Sequence, residues 1–388
     1  MKKSALRKVT AFIMTVIIAV GVLSPMAFAC KNEESVTMNF KEDGTFRIMQ
    51  MTDTHTTDQM YPEVTAFMEK VLDDYKPDLV VFTGDNVTGG WCLSTPLSVK
   101  TAIDKLVAPL DERDIPFTVV YGNHDWQTLC PKKLQTKFYQ MHDNCVMLEG
   151  YNYIHRTANH NILLKNADNS ETLFNLWLLD SGSRNIKDEQ NPVMEAQNDW
   201  YREACDKITA ANGGKVVPSI VFQHVPVEEV SKLFLKADKD TEGAVHCSHY
   251  GDDAYFVLNT EKATGDFIGG VGIAYRNSGQ YNAWVEKGDV VGAFFGHDHM
   301  NDYYGMTDEG IILGSTKATG FQSRGDNGKR GVRIIDLDVE SPETFETYSV
   351  YYSDYFSDVP ESKREYDSWE RITMTFEYIK NFFIDLFN

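Results

Sequence analysis

From Phe46 onward, short apolar runs alternate with longer segments of helical spacing. "TFRIMQM" (45–51), "DLVVFTG" (78–84) and "PFTVVYG" (116–122) are short, β-branched and aromatic, and read as strands. Between the first two, "YPEVTAFMEKVLDDY" (61–75) places Val64, Phe67, Met68, Val71 and Leu72 on one side of a helix. "SVKTAIDKLVAPLDERD" (98–114) predicts a second helix. Further apolar runs follow at "LFNLWLLD", "SIVFQH", "VVGAFFGH" and "GIILGS". Several are nearly continuous in Val, Ile, Leu and Phe, as strands covered on both faces require. Strands alternating with helices predict an α/β layered domain over about residues 45–352, preceded by a linker at 30–44. The tail sets Ile372, Phe376, Ile379, Phe383 and Leu386 at helical spacing and predicts an amphipathic helix within 353–388.

These runs share one ending. Asp53 and His55 follow the first, Asp85 the second, and Asn123, His124 and Asp125 the third. His224 closes "SIVFQH", and His297 and His299 close "AFFGHDH". A buried strand has no structural need for such residues, since each must find a partner or remain costly. In a largely parallel sheet the carboxyl ends of strands share an edge, and α/β proteins build their sites there. Imidazole with carboxylate suits Zn, Fe and Mn, and no cysteine falls in these motifs, so a thiolate site is not indicated. The ligand candidates are too many for one ion and suit two, with Asp85, alone in its motif, as the bridge. Glycines 84, 122 and 296 precede three of the clusters and permit sharp turns.

Charge narrows the partners. A formal net charge of −20 argues against a nucleic-acid backbone, which needs clustered Lys and Arg. A small anionic substrate stays compatible, because metal ions supply positive charge locally. Residues 1–29 read as a cleaved export signal, with a basic "MKKSALRK", an apolar "VTAFIMTVIIAVGVL" and the pattern Ala27-Phe28-Ala29. That places the mature protein outside the cytoplasm, secreted or at the cell surface. Cleavage after Ala29 would expose Cys30, and a lipid there would be the chain's one link to a membrane, although Ala27 stands where such signals carry Leu. The six cysteines permit disulfides and specify none. Nothing in the pattern fixes an oligomeric state.

Taken together, Asp53-x-His55, Gly84-Asp85, Gly122-Asn123-His124-Asp125, His224 and Gly296-His297-Asp298-His299 resemble the calcineurin-like metallophosphoesterases, over residues 46 to about 320. "GDNVTGGW", "LDSGS", "GGKVVPS" and "FFGHDHMND" resemble the branch of yeast Dcr2 and plant purple-acid-phosphatase-like proteins. The resemblance implies a four-layer fold, a central β-sandwich flanked by helices. It implies one metal on Asp53, His55, Asp85 and His299, and a second on Asp85, Asn123, His224 and His297. His124 would be the catalytic histidine and Asp125 would orient it. Thr88 stands where purple enzymes carry a tyrosine, so no purple colour is expected. The implied activity is hydrolysis of a small phosphomonoester. The alternatives are a phosphodiesterase on the same core and a catalytically silent, metal-stabilised surface binding protein. Arg276, Asn277, Arg324 and Asp180 are candidate substrate contacts, and His246 and His249 a weaker metal candidate.

Overall fold

The computed structural model describes residues 35–88, 94–150, 156–184 and 189–360. The expected export signal at 1–29, Cys30 and the expected helix of the tail lie outside them. The described chain begins with β1 (Val36–Asn39), β2 (Thr45–Met51), helix α1 (Pro62–Tyr75), β3 (Leu79–Thr83), α2 (Pro96–Asp111), β4 (Phe117–Val120) and α3 (Lys132–Tyr139). It continues through β5 (His160–Lys165), β6 (Thr172–Leu179), α4 (Glu195–Ala211) and β7 (Ser219–Gln223). A small excursion holds β8 (Phe234–Ala237), β9 (Val245–His246) and β10 (Tyr255–Leu258). Last come β11 (Ala263–Asp266), α5 (Gln280–Lys287), β12 (Val290–Phe295), β13 (Asp302–Met306), β14 (Ile312–Ser315), β15 (Gly331–Asp338) and β16 (Glu346–Tyr351).

The strands form a five-stranded sheet, β16-β15-β2-β3-β4, and an eight-stranded sheet, β1-β5-β6-β7-β12-β14-β13-β11, with β8-β10-β9 a third, small sheet. Strands β2, β3 and β4 are parallel, as are β6, β7, β12 and β14. Side chains alternate across each strand, so the continuous apolar runs feed two layers at once. Leu79 and Val81 join Ile220, Phe222 and Phe294 between the sheets, while Val80 and Phe82 join Phe67, Val71 and Ile103 beneath α1 and α2. On the other side Trp177 and Val221 pack with Trp200 and Trp284 beneath α4 and α5. The result is helix, sheet, sheet, helix, the expected four layers.

Helix α1 buries Val64, Phe67, Met68, Val71 and Leu72, the stripe that the spacing predicts. Helix α2 starts two residues ahead of expectation, because the Thr95 hydroxyl accepts the Ser98 N–H at 3.2 Å and Pro96 suits the first turn. One boundary is corrected. The stretch 30–44 is not simply a linker: β1 pairs in parallel with β5, and Val36 and Met38 pack on the inter-sheet core. Cys130, Cys205 and Cys247 are free thiols.

His160 ties the sheets together. Its Nδ1–H donates to the Ala158 carbonyl at 2.9 Å, so its Nε2 accepts from the Thr118 hydroxyl of β4 at 2.9 Å. Both nitrogens are satisfied in the neutral ring, and burial, which disfavours the charged form, lowers its pKa from 6.5 to about 4. A depressed folded pKa means this stability is complete above pH 6.5 and is lost as pH falls toward 4. Urea unfolding at pH 7 and pH 4 should show wild type losing roughly 3 kcal/mol more than His160→Gln across that window. Equal losses in both proteins would remove His160 from the account of acid sensitivity.

Candidate metal centre

The ligand candidates come from the carboxyl ends of five strands in two sheets. Past β2, β3 and β4 the chain keeps bonding in parallel, with Asp53 N–H to Gly84 O at 3.0 Å and His55 N–H to Asp85 O at 2.9 Å. Gly122 sits so close that a Cβ there would lie 2.2 Å from Asp85 Oδ1. Asp53, His55, Asp85 and His297 all hold positive φ, between 45° and 70°. They make up four of the eight non-glycine residues in that region among the described residues. Such strain persists where surrounding structure over-determines the backbone, and it concentrates at functional sites.

Two groups of side chains result. Asp53, His55, Asp85 and His299 offer ligand atoms within 4.8 Å of one another, and so do Asp85, His224 and His297. Asp85 belongs to both. His299 Nε2 lies 3.0 Å from Asp53 Oδ1, and His224 Nε2 lies 3.1 Å from Asp85 Oδ2. Both imidazoles are aimed by backbone. His224 Nδ1 donates to the Thr83 carbonyl at 2.9 Å and His299 Nδ1 to the Arg324 carbonyl at 2.6 Å. A carbonyl only accepts, so a proton sits on Nδ1, and Nε2 is the nitrogen that faces the group, where a cation would replace its proton. Asp53 Oδ2 is occupied by the Thr52 hydroxyl at 2.7 Å and the His297 N–H at 2.9 Å.

The remaining atoms test whether cations fit. Asp53 Oδ1, His224 Nε2 and both side-chain polar atoms of Asn123 are buried without a hydrogen-bond partner. Orphaned buried polar atoms are costly, and those of Asp53 and His224, facing the two groups, are what absent cations would leave. The charges agree. Burial alone would raise the Asp53 and Asp85 carboxyls, yet the neighbouring imidazoles hold both below the ordinary range. Burial would lower His224, yet Asp85 and Asp53 lift it to about 10. The carboxylates thus draw positive charge onto a buried ring, and cations can supply that charge instead. Burial holds His55 and His297 at about 3, neutral and ready to ligate.

His124 occupies the open side, 29% exposed, with Nε2 4.0 Å from Asp85 Oδ2. Asp125 does not orient it, and this corrects the expectation. The Asp125 carboxylate folds inward, taking the Asn86 and Val87 N–H groups at 3.0 Å and the Gly122 N–H at 2.7 Å. It therefore braces the loops after β3 and β4. The ring of His124 is held instead by Gln127, whose Oε1 accepts from Nδ1 at 2.8 Å. Gln127 closes a turn, its N–H donating to the His124 carbonyl at 2.9 Å, and that three-residue offset was the available signal. Thr88, in the tyrosine position, donates to the His55 carbonyl at 2.6 Å.

Other candidates lie apart from the groups. Arg276 and Asn277 line a pocket with Gln223 and Val225, and Asn277 donates to Glu229 at 2.8 Å. Arg324 contributes its carbonyl, while its guanidinium lies 3.8 Å from Met300 Sδ. Asp180 accepts from Lys132 at 3.1 Å and caps the Gly182 N–H at 2.9 Å, a turn role. His246 donates to the Asp252 carbonyl at 2.7 Å, and neither His246 nor His249 belongs to a metal-type group among the described residues.

The calcineurin-like phosphoesterase family matches residues 46–301. Probable inactive purple acid phosphatase 14 of Arabidopsis thaliana is 26% identical, over 78% of this chain and 78% of its own length. Probable inactive purple acid phosphatase 29 of the same plant is 25% identical over 82% of each. Phosphatase DCR2 of Saccharomyces cerevisiae is 27% identical over 68% of this chain and 45% of its own length.

Proposed function

We propose that this chain, which belongs to the calcineurin-like phosphoesterase family, is an exported phosphatase that hydrolyses small phosphomonoesters at a two-metal centre. The observation that carries the reading is the pair of ligand groups sharing Asp85, with the partly exposed His124 ring beside them. Asp53, His55, Asp85 and His299 would hold one ion, and Asp85, Asn123, His224 and His297 the other, drawn from Mn, Fe and Zn. Bound ions supply Lewis acidity and an activated water for attack on phosphorus. The chain's own contribution is placement and proton handling. With Nδ1 donating to Gln127, His124 has Nε2 free on the open side to give a proton to the leaving alkoxide. The backbone strain at four ligand residues is fixed before substrate arrives, so orientation is set in advance.

A second reading is favoured by the names of the Arabidopsis relatives, both "probable inactive": a chain that binds metal and phosphate without turnover. One experiment separates the readings. Metal content and p-nitrophenyl phosphate hydrolysis are measured on the purified protein before and after chelation. Expected are about two ions per chain, loss of activity on chelation and its return with Mn, Fe or Zn. Two ions with cleavage of bis-p-nitrophenyl phosphate alone would move the substrate to diesters. Two ions without cleavage of either would establish the silent binder, and no bound ion would sink the site.

The export signal at 1–29 supports an extracytoplasmic location, with a lipid on Cys30 as the one membrane link. Mass spectrometry of the mature N-terminus distinguishes a free Cys30 from an acylated one.

A further inference from the structure

We infer that Arg330 is a positioning residue for one half of the metal centre: its guanidinium clamps the turn 320–324, which aims His299 and backs the Asp53–His55 segment. The inference rests on the two-metal reading above.

Arg330 is 1% exposed and lies 5.1 Å from the centre of the Phe321 ring. Two other buried cations nearby have carboxylate partners: Lys317 pairs with Asp266 and Asp326, and Arg333 with Asp302. Arg330 forms no such pair among the described residues. It donates to two backbone carbonyls, Gly320 O and Ser323 O, and its Nε is buried without a partner. Burial lowers it to about 10, with Asp53 and Asp326 opposing that shift from beyond contact. An uncompensated buried guanidinium is a poor device for stability, since an apolar side chain of similar volume would often serve as well. Its fork geometry offers something else, the ability to fix two carbonyls at a set separation.

Those carbonyls belong to a turn in contact with every segment of the first ligand group except Asp85. His299 Nδ1 donates to Arg324 O at 2.6 Å, and the Ala318 N–H returns to His299 O at 3.2 Å. The Gly320 N–H reaches Asp53 O at 3.3 Å, and a Cβ on Gly320 would lie 2.0 Å from Thr54 O. The second group touches this turn only indirectly, through the His297 N–H on Asp53 Oδ2; its His224 is held by Thr83 O and by the Gly296 N–H to His224 O at 3.0 Å. Losing the clamp should therefore loosen one ion and spare the other.

The test titrates metal-free protein with Mn²⁺ alone by calorimetry, and counts retained Mn after gel filtration. Wild type, Arg330→Met, Arg330→Lys, His299→Ala and His297→Ala are compared, with melting of the metal-free forms as a fold check. Expected is about two Mn per chain in wild type, and one of the two sites weakened tenfold to a hundredfold, about the effect of losing an outer support, in Arg330→Met. The weakened site should match the one lost in His299→Ala, and Arg330→Lys should recover only part of it. Should Arg330→Met fail to fold, Gly325→Ala decides. It keeps the arginine but sets a Cβ 2.6 Å from its Nη2, and should weaken the same site. Two sites of wild-type affinity in these variants overturn the inference. Equal weakening of both sites with a lower melting point also overturns it, since that is a general structural role. Full recovery with lysine overturns it in favour of charge alone. A wild type that binds no Mn overturns the metal reading itself, and this inference falls with it.

Discussion

Asp85→Ala should empty both metal positions and lower phosphatase turnover by about a thousandfold or more. Removing a support behind a ligand already costs ten- to a hundredfold in metal affinity. Asp85 is a candidate ligand itself, the one residue common to both groups. Its second oxygen also matters locally, because Asp85 Oδ1 accepts the His124 N–H at 2.6 Å. Asp85→Asn keeps the shape and that hydrogen bond but loses the charge that attracts cations, so it should fall between wild type and alanine. Elemental analysis beside p-nitrophenyl phosphate kinetics checks both variants. Asp85→Ala retaining two ions would show that Asp85 is not the bridge.

His124→Ala should behave differently, keeping both ions and losing about a hundred- to ten-thousandfold in kcat, the usual worth of a positioned proton donor. The ring supplies no atom to either ligand group, and its Nε2 is 4.0 Å from the nearest Asp85 oxygen. Gln127→Ala should cost less, about tenfold, because it frees a ring that stays in place. Activated substrates separate the two roles: a leaving group that needs no proton, such as p-nitrophenolate, should lose less in His124→Ala than an alkyl phosphate does. Equal metal loss in His124→Ala and Asp85→Ala would refute the division of labour.

Much of this was legible in the sequence because it depends on residue type and period. The apolar stripe of α1 and the doubly covered runs of β3, β4, β7 and β12 appear in the chain as they pack. The family resemblance held, and the named Asp and His residues of the two ligand groups lie together. What the sequence hid depends on direction and on backbone. Asp125 and Gln127 lie two positions apart after one strand, and only the torsions of the turn decide which faces the His124 ring. The acceptors behind His224 and His299 are carbonyls of Thr83 and Arg324, which no side-chain identity announces. The edge strand β1 is four residues long and half exposed, too short for its alternation to stand out.

The division of ligands between the sheets has a consequence for the order of events. Asp53, His55, Asp85 and Asn123 follow strands of the five-stranded sheet, while His224, His297 and His299 follow strands of the eight-stranded one. Each proposed ion therefore needs both sheets docked face to face. A chain emerging amino end first holds three ligands of one ion and two of the other until residues near 224 and 299 arrive. Metal capture then becomes the last step of maturation and reports on all the earlier ones. A chain misfolded in either half would be left unloaded, and so inactive, before it could act on any substrate.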